Sequence, residues 1–246
     1  MVSLTPSATE VMAALGATKM LVGVDEYSVF PAEVTSLPKV GSFTTPNLEV
    51  IVKLKPTLVV VDDIHGGAAG ALHDAGVKTV ECAMHSLPDV RSALQTVGAR
   101  IGKSAQATQV IAEIDAAIET ARAARPAKRT KVLAIIDREA GGIGNLVAAG
   151  PGSWVDEMLA IVGAENVLAA SGVRYPKISR EEIVRGQPEV ILDLSYAARA
   201  STAEWNAIAT PATKTGRVVA VSAPFLLAPS PRVKAALEVL ATATAP

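Results

Sequence analysis

The chain carries three histidines, His65, His73 and His85, whose imidazoles could reach cobalt or iron. No two of them have the spacing of a dedicated metal motif such as HExxH, and there is no cysteine cluster to complete one, so no metal set is assigned from spacing. His73 lies in a helix-like stretch (ALHDAG) and reads as a solvated residue, whereas His65 sits in a loop after an apolar run, where it would face a cleft. Cys82 is the single cysteine and ends the apolar run VKTVEC, which makes it a buried strand-end thiol and rules out an intrachain disulfide. Arg138, in the loop DREAGG, could meet a propionate, phosphate or catecholate, or pair instead with Asp137 or Glu139. The neighbouring Gly141-Gly142-Ile143-Gly144 matches neither dinucleotide nor P-loop spacing and predicts a turn between strands. An enzyme should present a nucleophile with its base, or carboxylates converging with a histidine; no such set can be assembled, so no catalytic residue and no catalytic cofactor are expected. A receptor for bare manganese or zinc would need ligands from both halves, and the second half has no histidine.

Aromatic side chains offer another kind of chemistry. Among only eight aromatics, Tyr27, Phe30, Phe43, Tyr175, Tyr196 and Phe225 fall in loops that follow strands or precede helix starts. Open parallel sheets bind ligands beyond the carboxyl ends of their strands, where such loops gather. Loop aromatics can also plug the ends of a core. With an aliphatic core and rings kept for loops, the pattern favours a cleft for a large, flat or partly apolar ligand.

The elements that position these residues occur twice. Glu49 to Asp62 (EVIVKLKPTLVVVD) matches Glu181 to Leu194 (EEIVRGQPEVILDL), with Glu49 opposite Glu181 and Pro56 opposite Pro188. Thr9 to Leu21 likewise matches Asp156 to Leu168, in register at Gly16 and Gly163. A repeat this long means two similar lobes, not a solenoid. Glu49 and Glu181 each stand two residues past a helix cap, Asn47 and Ser179, where the helix dipole favours a carboxylate by about 0.3–1 kcal/mol.

Strand-length apolar runs at Val2–Leu4, Leu21–Val24, Leu58–Val61, Lys78–Cys82, Val132–Ile136, Asn145–Ala148, Val190–Leu194 and Val218–Val221 alternate with helical stretches, the signature of an α/β fold with mainly parallel sheets. Ser7, Ser86, Ser153 and Ser179, each followed three residues later by Asp or Glu, predict helix starts. Ser104 to Arg125 lacks Gly and Pro and places Val110, Ile111, Ile114, Ala117, Ile118 and Ala121 at helical spacing, so one stiff helix of roughly 30 Å is expected to connect the lobes and limit their relative motion. The division expected is 1–102 for the N-terminal lobe, 103–126 for the connecting helix and 127–246 for the C-terminal lobe. Half of the 246 residues are hydrophobic and the net charge is −1, which suggests neither a nucleic-acid nor an anionic-membrane partner. The long uncharged stretches are broken by Gly or Pro, so no transmembrane helix is expected. Met1-Val2 runs into SLTPSATE without a basic n-region; for an exported protein the leader would already be gone.

The runs SLTPSATEVMAALGATKMLVGVDEYSVFP, NLEVIVKLKPTLVV, GPGSWVDEMLAIVGAENVLA, RYPKISREEIVRGQPEVIL and APSPR occur in the order and spacing of one family. With them the chain resembles the solute-binding proteins of ABC importers that take up metal chelates, and within that family the cobalamin-binding proteins. The resemblance implies two α/β lobes on a rigid helix, with a chelate held in the cleft between them: a cobalamin-like corrinoid, or alternatively haem or a ferric siderophore. It implies ligand contacts from Tyr27, Phe43, Tyr175 and Phe225, to which His65, Arg138 and Tyr196 are added as candidates. It further implies docking on an ABC permease and its ATPase through Glu49 and Glu181, a periplasmic or extracellular location with a lipoprotein anchor as one option, and a monomer. Positions 43 and 225, often tryptophan in the cobalamin subgroup, are phenylalanine here, and the loop DDIHGGAAG lacks the aromatic expected there. A duplicated α/β enzyme of tetrapyrrole or metal-cofactor chemistry is the rival from another class.

Overall fold

The short valine-rich runs pair in parallel because each is followed by a helix that carries the chain back before the next strand begins. The computed structural model describes residues 1–199 and 201–245, which form two units: Met1–Ile114 with Ala228–Arg232, and Asp115–Leu227 with Val233–Pro246. This grouping departs from the division expected above at two places. The boundary falls inside the long helix, and the segment Ala228–Arg232 belongs to the first unit, where Arg232 Nε donates to Glu10 Oε2 at 2.8 Å.

In the first unit β1 (Val2–Ser3), β2 (Gly23–Val24), β3 (Val59–Val61) and β4 (Thr79–Glu81) form a wholly parallel sheet in the order β2-β1-β3-β4. The helices α1 (Pro6–Ala14), α2 (Leu48–Lys53), α3 (Gly66–Asp74) and α4 (Leu87–Arg100) connect or follow these strands. Val2, Leu4, Val40, Ile51, Val59, Val61 and Leu72 form a common core. Each aliphatic side chain so withdrawn from water contributes roughly 1.5–3 kcal/mol.

The helix α5 (Ser104–Ala123) contains no Gly or Pro and buries Ala107, Val110, Ile114 and Ile118 at three- and four-residue spacing. The second unit contains β5 (Lys131–Asp137), β6 (Val147–Ala148), α6 (Trp154–Val162), β7 (Glu165–Asn166), α7 (Arg180–Gly186), β8 (Val190–Asp193), α8 (Pro211–Lys214), β9 (Val218–Ala220), α9 (Pro224–Leu227) and α10 (Val233–Thr244). β5 pairs in parallel with β7 at its start and with β8 along its length, and β8 pairs with β9. The path β7-β5-β8-β9 therefore repeats β2-β1-β3-β4, and β6 is an antiparallel addition on the far half of β5. All eight expected strands are present, and among the described residues β7 is a ninth. It consists of two polar residues held by pairing with Lys131 and Val132, and so carries no apolar run to reveal it.

Ser86, Ser153 and Ser179 cap α4, α6 and α7 as expected. α1 instead begins at Thr5, whose hydroxyl accepts from the Ala8 amide at 3.1 Å. Pro6 explains the shift: its fixed φ and missing N–H suit the first helical position, which places Ser7 inside the first turn. The glycine run Gly141–Gly144 lies between β5 and the antiparallel β6, in the hairpin-like turn predicted for it.

Candidate functional site

In the first unit the loops at the carboxyl ends of the strands hold two aromatic rings outward. Asp25, directly after β2, is buried and accepts the Tyr27 amide at 2.8 Å through Oδ2, while Ser28 Oγ donates to its Oδ1. Ser28 Oγ also lies 2.7 Å from Thr9 Oγ1, which lies 2.6 Å from Ser3 Oγ, and Lys39 Nζ donates to the Ser28 carbonyl at 2.9 Å. The buried polar chain is thus internally satisfied and fixes the turn from which Tyr27 projects, 57% exposed. Burial pushes the Asp25 carboxyl above its ordinary range; hydrogen bonds from Ser28 and Tyr27 and the charge of Lys39 oppose this.

Phe43 projects from a second tight turn. Gly41 has φ 93°, and a Cβ there would come within 2.5 Å of the Thr45 carbonyl oxygen, so only glycine fits. Ser42 Oγ accepts the Thr45 amide at 3.1 Å, and Asn47 then caps α2 through the Val50 amide. The Tyr27 and Phe43 rings meet edge to face, centroids 5.8 Å apart at 66°, and Phe43 is 40% exposed. The pair forms an exposed aromatic surface on the first unit.

His65 does not join it as a ligand. The residue is buried; its Nδ1 accepts the Asp62 amide at 2.9 Å and its Nε2 pairs with the Phe43 carbonyl. Both nitrogens are spent on the turn Asp63–His65 and on the Phe43 loop, so the expectation of a cleft-facing imidazole is corrected to a structural role. The other two imidazoles are exposed or half-buried: His73 on α3, and His85 against Asp63 at 2.9 Å.

In the second unit Trp154, the first residue of α6, is fully buried, and its Nε1 donates to the Phe225 carbonyl at 2.9 Å, fixing α9. Its backbone also contacts the Tyr175 hydroxyl. Trp154 thereby links the two candidate rings, Tyr175 at 45% exposure and Phe225 half-buried. Burial raises the Tyr175 phenol above its ordinary value, with the charge of Arg174 and the Trp154 backbone opposing. Tyr196, beyond β8, is 78% exposed beneath the Arg199 guanidinium, 4.9 Å from the ring centroid.

Arg138 is not available to a ligand. Its side chain is wholly buried: Nε donates to Asp193 Oδ2 at 2.7 Å, Nη1 to the Gly142 carbonyl at 2.9 Å and Nη2 to the Ser201 carbonyl at 2.6 Å. Its ion-pair partners are Asp193 and, at 3.7 Å, Glu204, not the side-chain carboxylates of Asp137 or Glu139 considered from sequence: Asp137 Oδ1 accepts only the Arg138 backbone amide at 3.0 Å, and Nη1 reaches only the Glu139 carbonyl, at 3.4 Å. Asp193, one strand away on β8 where Ala134 and Ile135 of β5 pair, could not be inferred from adjacency.

Glu49 and Glu181 occupy the same second helical position of α2 and α7, and both are exposed. Three residues on, Val52 and Val184 are exposed as well, at 39% and 44%, so each glutamate is followed by an apolar side chain one turn along its helix. Cys82 is buried at the end of β4, and desolvation together with the nearby Asp62 and Glu81 carboxylates pushes its thiol to about 11.

Sequence reasoning passed over Asp25, Trp154 and the grouping of His85, named there only as one of three imidazoles, with Asp62 and Asp63. The first had a signal, an aspartate two residues before an exposed tyrosine in an Asx-turn pattern. The others had none, because their partners come from distant segments.

Duplicated parallel α/β units with exposed rings at their loop ends suit the binding of a ligand. A family profile described as periplasmic binding protein matches residues 1–224. The chain belongs to the periplasmic binding protein family, the solute-binding components of ABC importers, and is a transport protein, not an enzyme. A vitamin B12-binding protein of Salmonella paratyphi A is 31% identical over 198 residues, covering 78% of this chain and 70% of the relative. Among solved structures, the periplasmic heme-binding protein RhuT of Roseiflexus sp. RS-1 in apo form has TM-score 0.87 at 29% identity, covering 99% of this chain and 96% of that one. The periplasmic heme-binding protein HutB of Vibrio cholerae has TM-score 0.89 at 25% identity, covering 100% and 98%. Among the described residues, no helix is long and apolar enough to cross a membrane.

Proposed function

We propose that this protein binds a metal chelate, a cobalamin-like corrinoid, and delivers it to an ABC permease and its ATPase. The observation that carries the reading is the Tyr27–Phe43 pair, two exposed rings in edge-to-face contact on turns held by hydrogen bonds. Such a pair recognises a broad ligand by stacking and apolar contact at little entropic cost, since the rings are already placed. Tyr175 and Phe225 of the second unit, organised by Trp154, add contacts of the same kind. A corrinoid with its own axial base needs no ligand atom from the protein. That fits a His65 whose nitrogens are both engaged and a Tyr175 phenol pushed away from the phenolate form. The B12-binding relative of Salmonella paratyphi A supports the same choice.

Haem is the second reading, supported by the likeness to RhuT and HutB. It would need an axial donor, and the exposed Tyr196 hydroxyl is the candidate.

Docking on the permease is assigned to Glu49 and Glu181. Their matched, exposed positions, each with an exposed valine one turn on, suit a partner presenting arginines beside apolar surface. A protein of this kind works as a monomer in the periplasm or at the cell surface, with a lipid anchor as one means of retention.

Titration with cobalamin, haem and a ferric siderophore in turn, followed by visible absorption and tryptophan quenching, tests the reading. Saturable one-to-one cobalamin binding is expected. Haem binding with a shifted Soret band and no response to cobalamin would replace the corrinoid with the second reading.

A further inference from the structure

Three groups that no spacing rule connects meet at the carboxyl edge of the first unit's sheet. Asp62 and Asp63 leave the end of β3, and His85 follows β4; the register Val61 to Glu81 sets these two strand ends side by side. His85 Nε2 lies 2.9 and 3.0 Å from the two Asp63 oxygens and 3.8 Å from Asp62 Oδ1. One ligand atom from each of the three residues lies within 4.8 Å of the others. The arrangement is held from outside: Asp62 caps the turn Asp63–His65, and Asp89 Oδ2 accepts the His85 amide at 3.2 Å and the Ser86 hydroxyl at 2.7 Å.

The trio is left electrostatically incomplete. Asp62 is 6% exposed, yet its Oδ1 is buried without a hydrogen-bond partner. A buried acceptor of this kind calls for an explanation, an ion among them. Two adjacent carboxylates repel, and His85 Nε2 sits against Asp63 at 2.9–3.0 Å, leaving Asp62 Oδ1 only a 3.8 Å contact with it. A tetrahedral ion with bonds of about 2.0–2.2 Å separates its donor atoms by about 3.3–3.6 Å, inside the spread found here. Asp63 and His85 have side chains 46% and 36% exposed, which leaves an entry path and room for water on the outer face.

We propose that Asp62, Asp63 and His85 bind a divalent transition-metal ion, separate from any metal carried inside the transported ligand. One imidazole and two carboxylates select borderline cations, zinc first and cobalt or manganese after it, over the harder calcium and magnesium. Asp62 Oδ1 gains the partner it lacks, and the ion clamps the β3 loop to the β4 loop.

The test uses tag-free protein stripped with chelator, titrated calorimetrically with zinc chloride in the absence of any chelate ligand, so its outcome is independent of the function proposed above. One saturable equivalent is expected, weakened about tenfold or more in Asp63→Asn and in His85→Gln. Both substitutions fall on partly exposed side chains, and circular dichroism checks that the fold is kept. Asp62→Asn should abolish the site, and its neutral amide should leave the apo protein folded. Absence of zinc binding to the unaltered protein, or equal binding by the unaltered protein and the Asp63 and His85 variants, overturns the proposal.

Discussion

Replacing Arg138 by methionine separates the structural role found for this residue from the ligand role that its sequence context suggests. The guanidinium is wholly buried, with three donor contacts at 2.6–2.9 Å, to Asp193 and to the carbonyls of Gly142 and Ser201. Methionine keeps much of the stem but leaves Asp193 buried and charged, with donors only from Ser195 Oγ at 2.6 Å and Trp205 Nε1 at 2.8 Å among its side-chain partners, and strands two carbonyls. Removing one partner of a buried ion pair costs about 3–5 kcal/mol, and the donors that remain on Asp193 place this case near about 3 kcal/mol. That is a large share of a net stability of about 5–15 kcal/mol. Both tryptophans, Trp154 and Trp205, lie in the second unit, and Trp205 bonds directly to Asp193, so intrinsic fluorescence reports this unit. With a urea dependence of about 1–3 kcal/mol per molar, the midpoint should fall by about 1–3 M. The double variant Arg138→Met/Asp193→Asn should recover part of the loss, since it removes the stranded charge. Chelate affinity of the folded Arg138 variant should match the unaltered protein. An unchanged midpoint together with weakened binding would refute the structural assignment and restore Arg138 to the ligand site.

Tyr27→Ala and Phe43→Ala should each weaken chelate binding by about 1–3 kcal/mol in calorimetry. Because the rings touch, a double-mutant cycle should show coupling of about 0.5–1.5 kcal/mol; strict additivity would break the pair into independent contacts. Glu49→Ala and Glu181→Ala should bind the chelate normally but lower permease-stimulated ATP hydrolysis in reconstituted vesicles, the double variant more than either single, and full uptake by the double variant would remove both from docking. The Cys82 thiol, raised to about 11 from 9.0, should carry about 100-fold less thiolate at pH 8 and react correspondingly slowly with a disulfide reagent until the protein unfolds; fast native labelling would contradict its burial. For Asp25 the folded carboxyl is raised above its unfolded value, so folding takes up a proton. Its contribution to stability is present below the unfolded pKa and lost as pH rises through the folded one. Asp25→Asn should flatten that part of the pH–stability curve measured by circular dichroism, and an identical slope would show that the carboxyl does not titrate there.

Much of the fold could be read in advance because its determinants are local. The apolar runs of β3 and β8 are followed by turn residues, and Ser86, Ser153 and Ser179 each sit three residues before an acidic side chain and do cap helices. The repeat of Glu49 to Asp62 in Glu181 to Leu194 extends to the strand order of both sheets, because duplicated hydrophobic patterning imposes duplicated pairing. β7 escaped because its two residues owe their pairing to β5 and not to their own propensity, and the cap at Thr5 escaped because Pro6 outweighs the Ser7-x-x-Glu10 pattern.

The site was legible only as far as exposure follows from residue type. Rings in loops are exposed or half-buried, and Glu49 and Glu181 stand outward where a helix start places them. His65 and Arg138 misled for one reason: a polar side chain in a loop after a strand looks free until its long-range partner is known. For His65 that partner is the Phe43 carbonyl, 22 positions away, and for Arg138 it is Asp193, 55 positions away. The same topology works in the other direction at Asp62, Asp63 and His85, where two loops that share no motif are brought together by the pairing of β3 with β4. In a parallel sheet the carboxyl ends of neighbouring strands always converge, so polar residues there are either neutralised by partners from the adjacent loop or left with unsatisfied valence that a ligand can fill. Arg138 belongs to the first kind; Asp62, with its bare Oδ1, belongs to the second.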